Sequence, residues 1–156
     1  IIKEESLIRA CEDGQDKEAR WNMMMASTEG AMAFSKGLGA VHSMSHALGA
    51  NQELRLHHGT LNAVILPSVL RFNQNHVENK YTRIARAMGD KVTTDLANEI
   101  EKLNEKIGMP ASLSEMGVTE DMIPQLVAHA ATDPSNLTTP RLPSIEEWEK
   151  LFLEAM

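Results

Sequence analysis

Four of the six histidines in this 156-residue sequence fall between positions 42 and 58, at His42, His46, His57 and His58. Neutral imidazole is the commonest metal ligand and also the usual proton carrier near pH 7, so the cluster suits metal binding or acid–base chemistry. His42 and His46 are four residues apart. On a helix they share a face, with Cβ atoms about 6 Å apart, which permits joint chelation if another element supplies a third ligand. His57 and His58 follow in a turn that could fold back toward them. Spacing alone is weak evidence, because solvated or core histidines show the same pattern more often. His76 and His129 sit in polar or mixed stretches and read as surface residues.

The glycines at 37, 39, 49 and 59 flank the cluster and let other groups approach closely. Gly37-Leu38-Gly39-Ala40-Val41-His42 is a near miss of a dinucleotide fingerprint. It is rejected because it follows a helix, not a strand, and has His42 at its sixth position. No other stretch is a candidate for holding a pyrophosphate.

The elements that must position these residues are helical throughout, and the expected fold class is all-α. Ile2, Leu7, Ile8 and Cys11 form one apolar stripe that stops at Gly14. Asp16 caps a second helix through Trp21, Met24, Met25, Thr28 and Met32 to about Lys36. Met23-Met24-Met25 reads as a flexible filler of core gaps. A third helix covers Ala40 to Leu48, closed by Gly49. A fourth covers Thr60 to Phe72, where Pro67 should kink the helix or remove a hydrogen bond. Val77 to Met88 and Asp95 to Ile107 are amphipathic, the first with Val77, Tyr81, Ile84 and Met88 on its apolar face. Thr119 is expected to cap a helix to about Ala131, Thr132 to Pro143 reads as loop, and Ser144 with Glu147 forms a capping box for Ile145 to Ala155. Alternating strand patterns are absent.

A chain of this length fits one domain and can bury about 70% of its unfolded surface. The net charge of −7, without a basic stripe, argues against nucleic acid. Cys11 is the single cysteine, which excludes an internal disulfide and points to a reducing, cytoplasmic setting. No apolar run is long enough to span a bilayer. Asn136-Leu137-Thr138 matches a glycosylation acceptor and is read as a chance match. The chain starts at Ile1 without an initiator Met, already in a helical pattern. It therefore reads as a piece of a longer protein, whether expressed as such or produced by proteolysis.

A longer pattern narrows the reading. The run Gly39-x-x-His42-x-x-x-His46-x-x-Gly49, then His58-Gly59, Asn62-Ala63, Leu66-Pro67 and Arg71-Phe72-Asn73, resembles the signature of the iron-containing (group III) alcohol dehydrogenases. Asp133-Pro134-Ser135-Asn136, followed by Thr139-Pro140-Arg141, is similar to the same family's tail. The resemblance covers residues 1–156 as that family's helical, metal-binding C-terminal domain, related in fold to the dehydroquinate synthases.

The resemblance implies an enzyme that interconverts an alcohol and an aldehyde or ketone, using a divalent metal (iron, or zinc) and NAD or NADP. His42 and His58 match two of the family's metal ligands. His46 matches a histidine near the nicotinamide that does not usually bind the metal, so it is the candidate for proton relay or substrate steering. This departs from the spacing argument, which paired His42 with His46. His57 stands where the family often has Pro and receives no role. The other two ligands, an Asp and a His one helical turn apart, have no counterpart before His42, and the nucleotide-binding N-terminal domain is missing as well. The 156-residue chain is therefore expected to be inactive alone. The resemblance leaves room for a homo-oligomer. The competing readings are a helical module serving only structure or association, and a lyase of the same fold.

Overall fold

Two helices come first in the computed structural model, which describes residues 4–77, 79–88 and 95–156. They are α1 (Glu4–Glu12) and α2 (Lys17–Ala33), continued by a 3-10 turn over Phe34–Lys36. Asp16 caps α2 as expected, its carboxylate accepting the Ala19 N–H at 3.0 Å. The two helices form a hairpin closed by Asn22 donating to Ser6 and by Arg9 pairing with Asp16 and Glu18. Nine residues of α1 cannot cover seventeen of α2. The apolar row of α2 consequently faces outward, with Trp21 62% and Met24 63% exposed and Met25 and Met32 exposed too. The reading of Met23–Met25 as core filler is corrected for Met24 and Met25, while Met23 is half-buried. Ile2 of the α1 stripe lies outside the described residues.

The core lies among α3 (Ala40–Gly49), α4 (His58–Asn73), α7 (Ile123–Thr132) and α8 (Ile145–Ala155). Met44, Leu48, Leu61, Ile65, Leu113, Trp148 and Phe152 are its fully buried large side chains. No strand occurs among the described residues, in agreement with the all-α expectation. No helix among them is long and apolar enough to cross a membrane.

Helix α4 starts at His58, two residues earlier than the pattern predicts, because His57 acts as its N-cap and accepts the Thr60 N–H. The helix runs on through Pro67. Proline has no N–H, so the Ala63 carbonyl one turn earlier lacks its usual donor. Asn104 of α6 (Leu96–Lys106) supplies one instead, donating to the Ala63 carbonyl at 2.8 Å. The hydrogen bond that Pro67 removes is thus replaced by a tie between α4 and α6.

Helix α5 (Lys80–Met88) keeps Tyr81 and Met88 of the expected face half-buried, with Val77 buried just before it, but exposes Ile84 and buries Ala85 in its place. Tyr81 donates to the Leu70 carbonyl, and burial pushes its hydroxyl up to about 12. Thr119 makes no side-chain cap. A 3-10 turn over Glu120–Met122 precedes α7, which therefore starts three residues later than expected, with Pro124 in its first turn. The stretch read as loop contains a 3-10 turn, Pro134–Thr138. The Ser144–Glu147 capping box forms as read.

Two stability outcomes follow. Phe152→Ala, which empties a fully buried ring, is expected to lower the unfolding free energy by about 3–5 kcal/mol, whereas Trp21→Ser in the same chain should stay within about 0.5 kcal/mol. Urea titration of both variants decides whether the core lies where described. Gly37 has φ +105, and a Cβ there would run into the Thr138 side chain. Gly37→Ala should therefore cost about 1–3 kcal/mol, read in the same titration, and a neutral effect would contradict this contact.

Candidate functional site

The histidine segment forms around α3, whose sequence Ala-Val-His-Ser-Met-Ser-His-Ala-Leu-Gly is mostly small. Small side chains let α4 and α7 come close, and Ser43, Met44, Ser45, Ala47 and Leu48 are all buried. His42 and His46 lie on the remaining face. The buried hydroxyls need partners, and they have them: Ser43 donates to the Asn136 side-chain Oδ1 at 2.7 Å, and Ser45 to the His42 backbone carbonyl at 3.2 Å.

Three rings meet on this face. The centroids of His42 and His46 are 5.9 Å apart, those of His42 and His58 5.4 Å, and those of His46 and His58 5.5 Å with nearly parallel planes. His57 is not among them, since its ring is occupied in capping α4. His76 and His129 are exposed, as read.

The hydrogen bonds distinguish the three rings. The Asn62 side-chain amide nitrogen lies 3.1 Å from His58 Nε2 and 3.5 Å from His42 Nε2. An amide N–H can only donate, so both Nε2 atoms present lone pairs toward one electropositive group. Ser45 Oγ, whose proton goes to the His42 carbonyl, lies 3.4 Å from His58 Nδ1 and accepts there. His58 is thereby set as the Nδ1–H tautomer with Nε2 bare. Burial, followed by the adjacent His58 and His46 rings, pushes His42 below the ordinary imidazole value and keeps it neutral.

His46 is bound differently. Its Nδ1 lies 2.9 Å from Asp133 Oδ2, and the carboxylate is nearly buried, with 8% of the side chain exposed. Burial alone would push Asp133 up, but hydrogen bonds from Ser135 and His46 outweigh it and hold the carboxyl below its usual range. Asp133 begins a strap, residues 133–141, that lies against α3. Asn136 donates to the Ala130 and Ala131 carbonyls while accepting from Ser43, and Thr138 donates to the Leu38 carbonyl. Arg141 ends the strap stacked over Phe72 at 3.8 Å and paired with Glu147 at 2.7 Å. With its side chain committed to these partners, Asn136 has no amide left for a glycan. Beside His42 runs a trough of about 470 Å³ lined by Leu38, Val41, Ala63, Leu66 and Leu70, with Asn62 at its polar edge.

Sequence reasoning assigned no role to Asn62, Ser45 or Asp133. Asn62 is one turn beyond His58 on the same helix, and that spacing was a readable signal. Ser45 could be found only from the burial of α3. Asp133 is 87 residues from His46, and nothing local announces the contact.

The bare Nε2 pair has the donor chemistry of a divalent transition-metal site, and the Asn62 amide stands where the two lone pairs converge. Asn62 Oδ1 is buried without a partner, so its amide is held by the histidines alone. Residues present here therefore fit a metal through His42 and His58.

Comparisons with known proteins show the family of the chain. The family model of the Fe-containing alcohol dehydrogenase family, C-terminal, matches residues 2–156. A 4-hydroxybutyrate dehydrogenase of Cupriavidus necator is 44% identical over 155 residues, covering 95% of this chain and 41% of that protein. An NAD-dependent methanol dehydrogenase of Bacillus methanolicus is 33% identical over 161 residues, covering 97% of this chain and 42% of that one. The crystal structure of a 1,3-propanediol oxidoreductase superposes with a TM-score of 0.92 at 32% identity, over 98% of this chain and 42% of that one. The chain spans about two fifths of the length of the curated relatives it matches. Matched from residue 2 to residue 156, it belongs to the Fe-containing alcohol dehydrogenase family and corresponds to that family's C-terminal part.

Proposed function

We propose that the chain is the metal-binding and proton-handling part of an oxidoreductase that interconverts an alcohol and an aldehyde or ketone with NAD or NADP. The observation that carries this is the convergence of His42 Nε2 and His58 Nε2 on one point, with His46 beside them and backed by a carboxylate. The names of the relatives, a 4-hydroxybutyrate dehydrogenase and an NAD-dependent methanol dehydrogenase, support the reaction class.

His42 and His58 are the proposed metal ligands. A divalent ion held there supplies Lewis acidity toward the substrate oxygen. Under the usual affinity order an imidazole-rich set prefers zinc to iron, so the metal follows supply. His46 is the proposed proton carrier: with Nδ1 on Asp133, its Nε2 can take or give the hydroxyl proton of the substrate. The apolar trough beside His42 would hold the carbon chain of a small substrate away from water.

The remaining ligands and the nucleotide-binding domain are proposed to lie on polypeptide outside residues 1–156, since the relatives are more than twice as long. Among the described residues, no three His, Cys, Asp or Glu side chains form a group able to hold a metal. Two imidazoles alone hold a divalent ion weakly.

The test is an assay of the full-length protein with added iron or zinc, over alcohols and aldehydes, with both coenzymes. His42→Ala and His58→Ala are expected to lose bound metal, measured by elemental analysis, together with activity. His46→Gln should keep the metal and lose about 100-fold or more in kcat. Equal metal content in all three variants would overturn the ligand assignment. For the 156-residue chain alone the expected result is weak metal binding. Tight stoichiometric iron binding with dehydrogenase activity in that chain would contradict the incomplete-site reading.

A further inference from the structure

We propose that Asp133 is a positioning residue for His46, fixing the ring as the Nδ1–H tautomer and leaving Nε2 as its accepting nitrogen. The two oxygens of Asp133 have different, fixed partners. Oδ1 accepts the Ser135 N–H at 2.8 Å, capping the Pro134–Thr138 turn, and Oδ2 faces His46 Nδ1 at 2.9 Å. The carboxylate cannot swing away, because the strap is pinned to α3 and α7 through Asn136 and to Leu38 through Thr138. An ionised carboxylate only accepts, so whatever faces it must carry a proton. The ring nitrogen that is protonated is set by the bond made at the other one. This division of labour, carboxylate behind an imidazole that works through its far nitrogen, needs no particular fold.

Asp133 also caps a turn, and the two roles separate cleanly. In Asp133→Asn, the Ser135 N–H holds the amide oxygen at the Oδ1 position. The NH2 group must then replace Oδ2 and point at His46 Nδ1. A donor now faces that nitrogen, and the ring must switch to the Nε2–H tautomer while the cap survives. Asp133→Ser keeps a capping oxygen but is too short to hold the ring.

The role of His46 in the reaction rests on the function proposed above, but its tautomer does not, so the two can fail separately. The experiment uses the metal-stripped full-length protein labelled with ring-15N histidine at alkaline pH, where imidazole is neutral. The His46 signals are identified by their loss in His46→Gln, and unchanged His42 and His58 signals report an intact cluster. Wild type is expected as Nδ1–H, Asp133→Asn as Nε2–H, and Asp133→Ser as a mixture. In the metal-loaded enzyme, Asp133→Asn should lower kcat about 100-fold or more with KM little changed. One tautomer shared by all three proteins, or an Nε2–H wild type, overturns the proposal. A tautomer switch with kcat intact supports the positioning by Asp133 and overturns proton handling by His46. Absence of dehydrogenase activity in wild type overturns the proposed function and leaves the tautomer result standing.

Discussion

Helix α3 is enclosed on three sides and open on one, and the candidate site depends on that asymmetry. With 3.6 residues per turn, Ser43, Met44, Ala47 and Leu48 turn inward while His42 and His46 come round to the same free face. Alanine, serine and glycine let α4 and α7 approach without crowding, and the 133–141 strap closes the third side. Larger residues at the serines would push these neighbours outward. The site would then lose not a ligand but the relation between its ligands.

The other elements serve this enclosure at one remove. His57, whose ring caps α4, sets the first residue of that helix and thereby places the His58 ring beside His42. Pro67 would weaken the same helix, but Asn104 restores the lost donor from α6. Arg71 ties α4 to Glu101 of α6 and reaches Glu154 of α8, while Phe72 supports the far end of the strap through Arg141. The motif Arg71-Phe72-Asn73 and the tail ending at Arg141 are far apart in sequence. In the fold they brace one another across the core.

How legible this was depended on whether the cause was local. Caps at Asp16 and Ser144, the all-α class and the surface positions of His76 and His129 follow from neighbouring residues, and they read correctly. The α2 methionines did not, because their exposure depends on how much of α2 the shorter α1 can cover. The strap also escaped notice: Asp133-Pro134 signals a break and a local cap makes it a 3-10 turn, but only tertiary contacts lay that turn against α3. For the site, spacing paired His42 with His46, and family resemblance paired His42 with His58. The geometry brings all three rings together, but the shared partner Asn62 joins His42 to His58.

His46 and His58 both turn Nδ1 toward the protein, yet what stands behind each differs. Behind His58 is the Ser45 hydroxyl at 3.4 Å, a neutral and long contact. Behind His46 is a carboxylate at 2.9 Å, and charge-assisted hydrogen bonds of this kind are roughly twice as strong as neutral ones. The Nδ1–H group donates to Asp133 whether or not Nε2 carries a proton, so that bond survives each gain or loss of a proton. His46 can therefore cycle between protonation states without its ring being released, a property suited to a proton carrier. As a proposed ligand His58 would need only a fixed lone pair, and the hydroxyl contact together with Asn62 aims it. The two rings, only 5.5 Å apart, thus differ in what lies behind them, and the proposed tasks of ligand and proton carrier follow that difference.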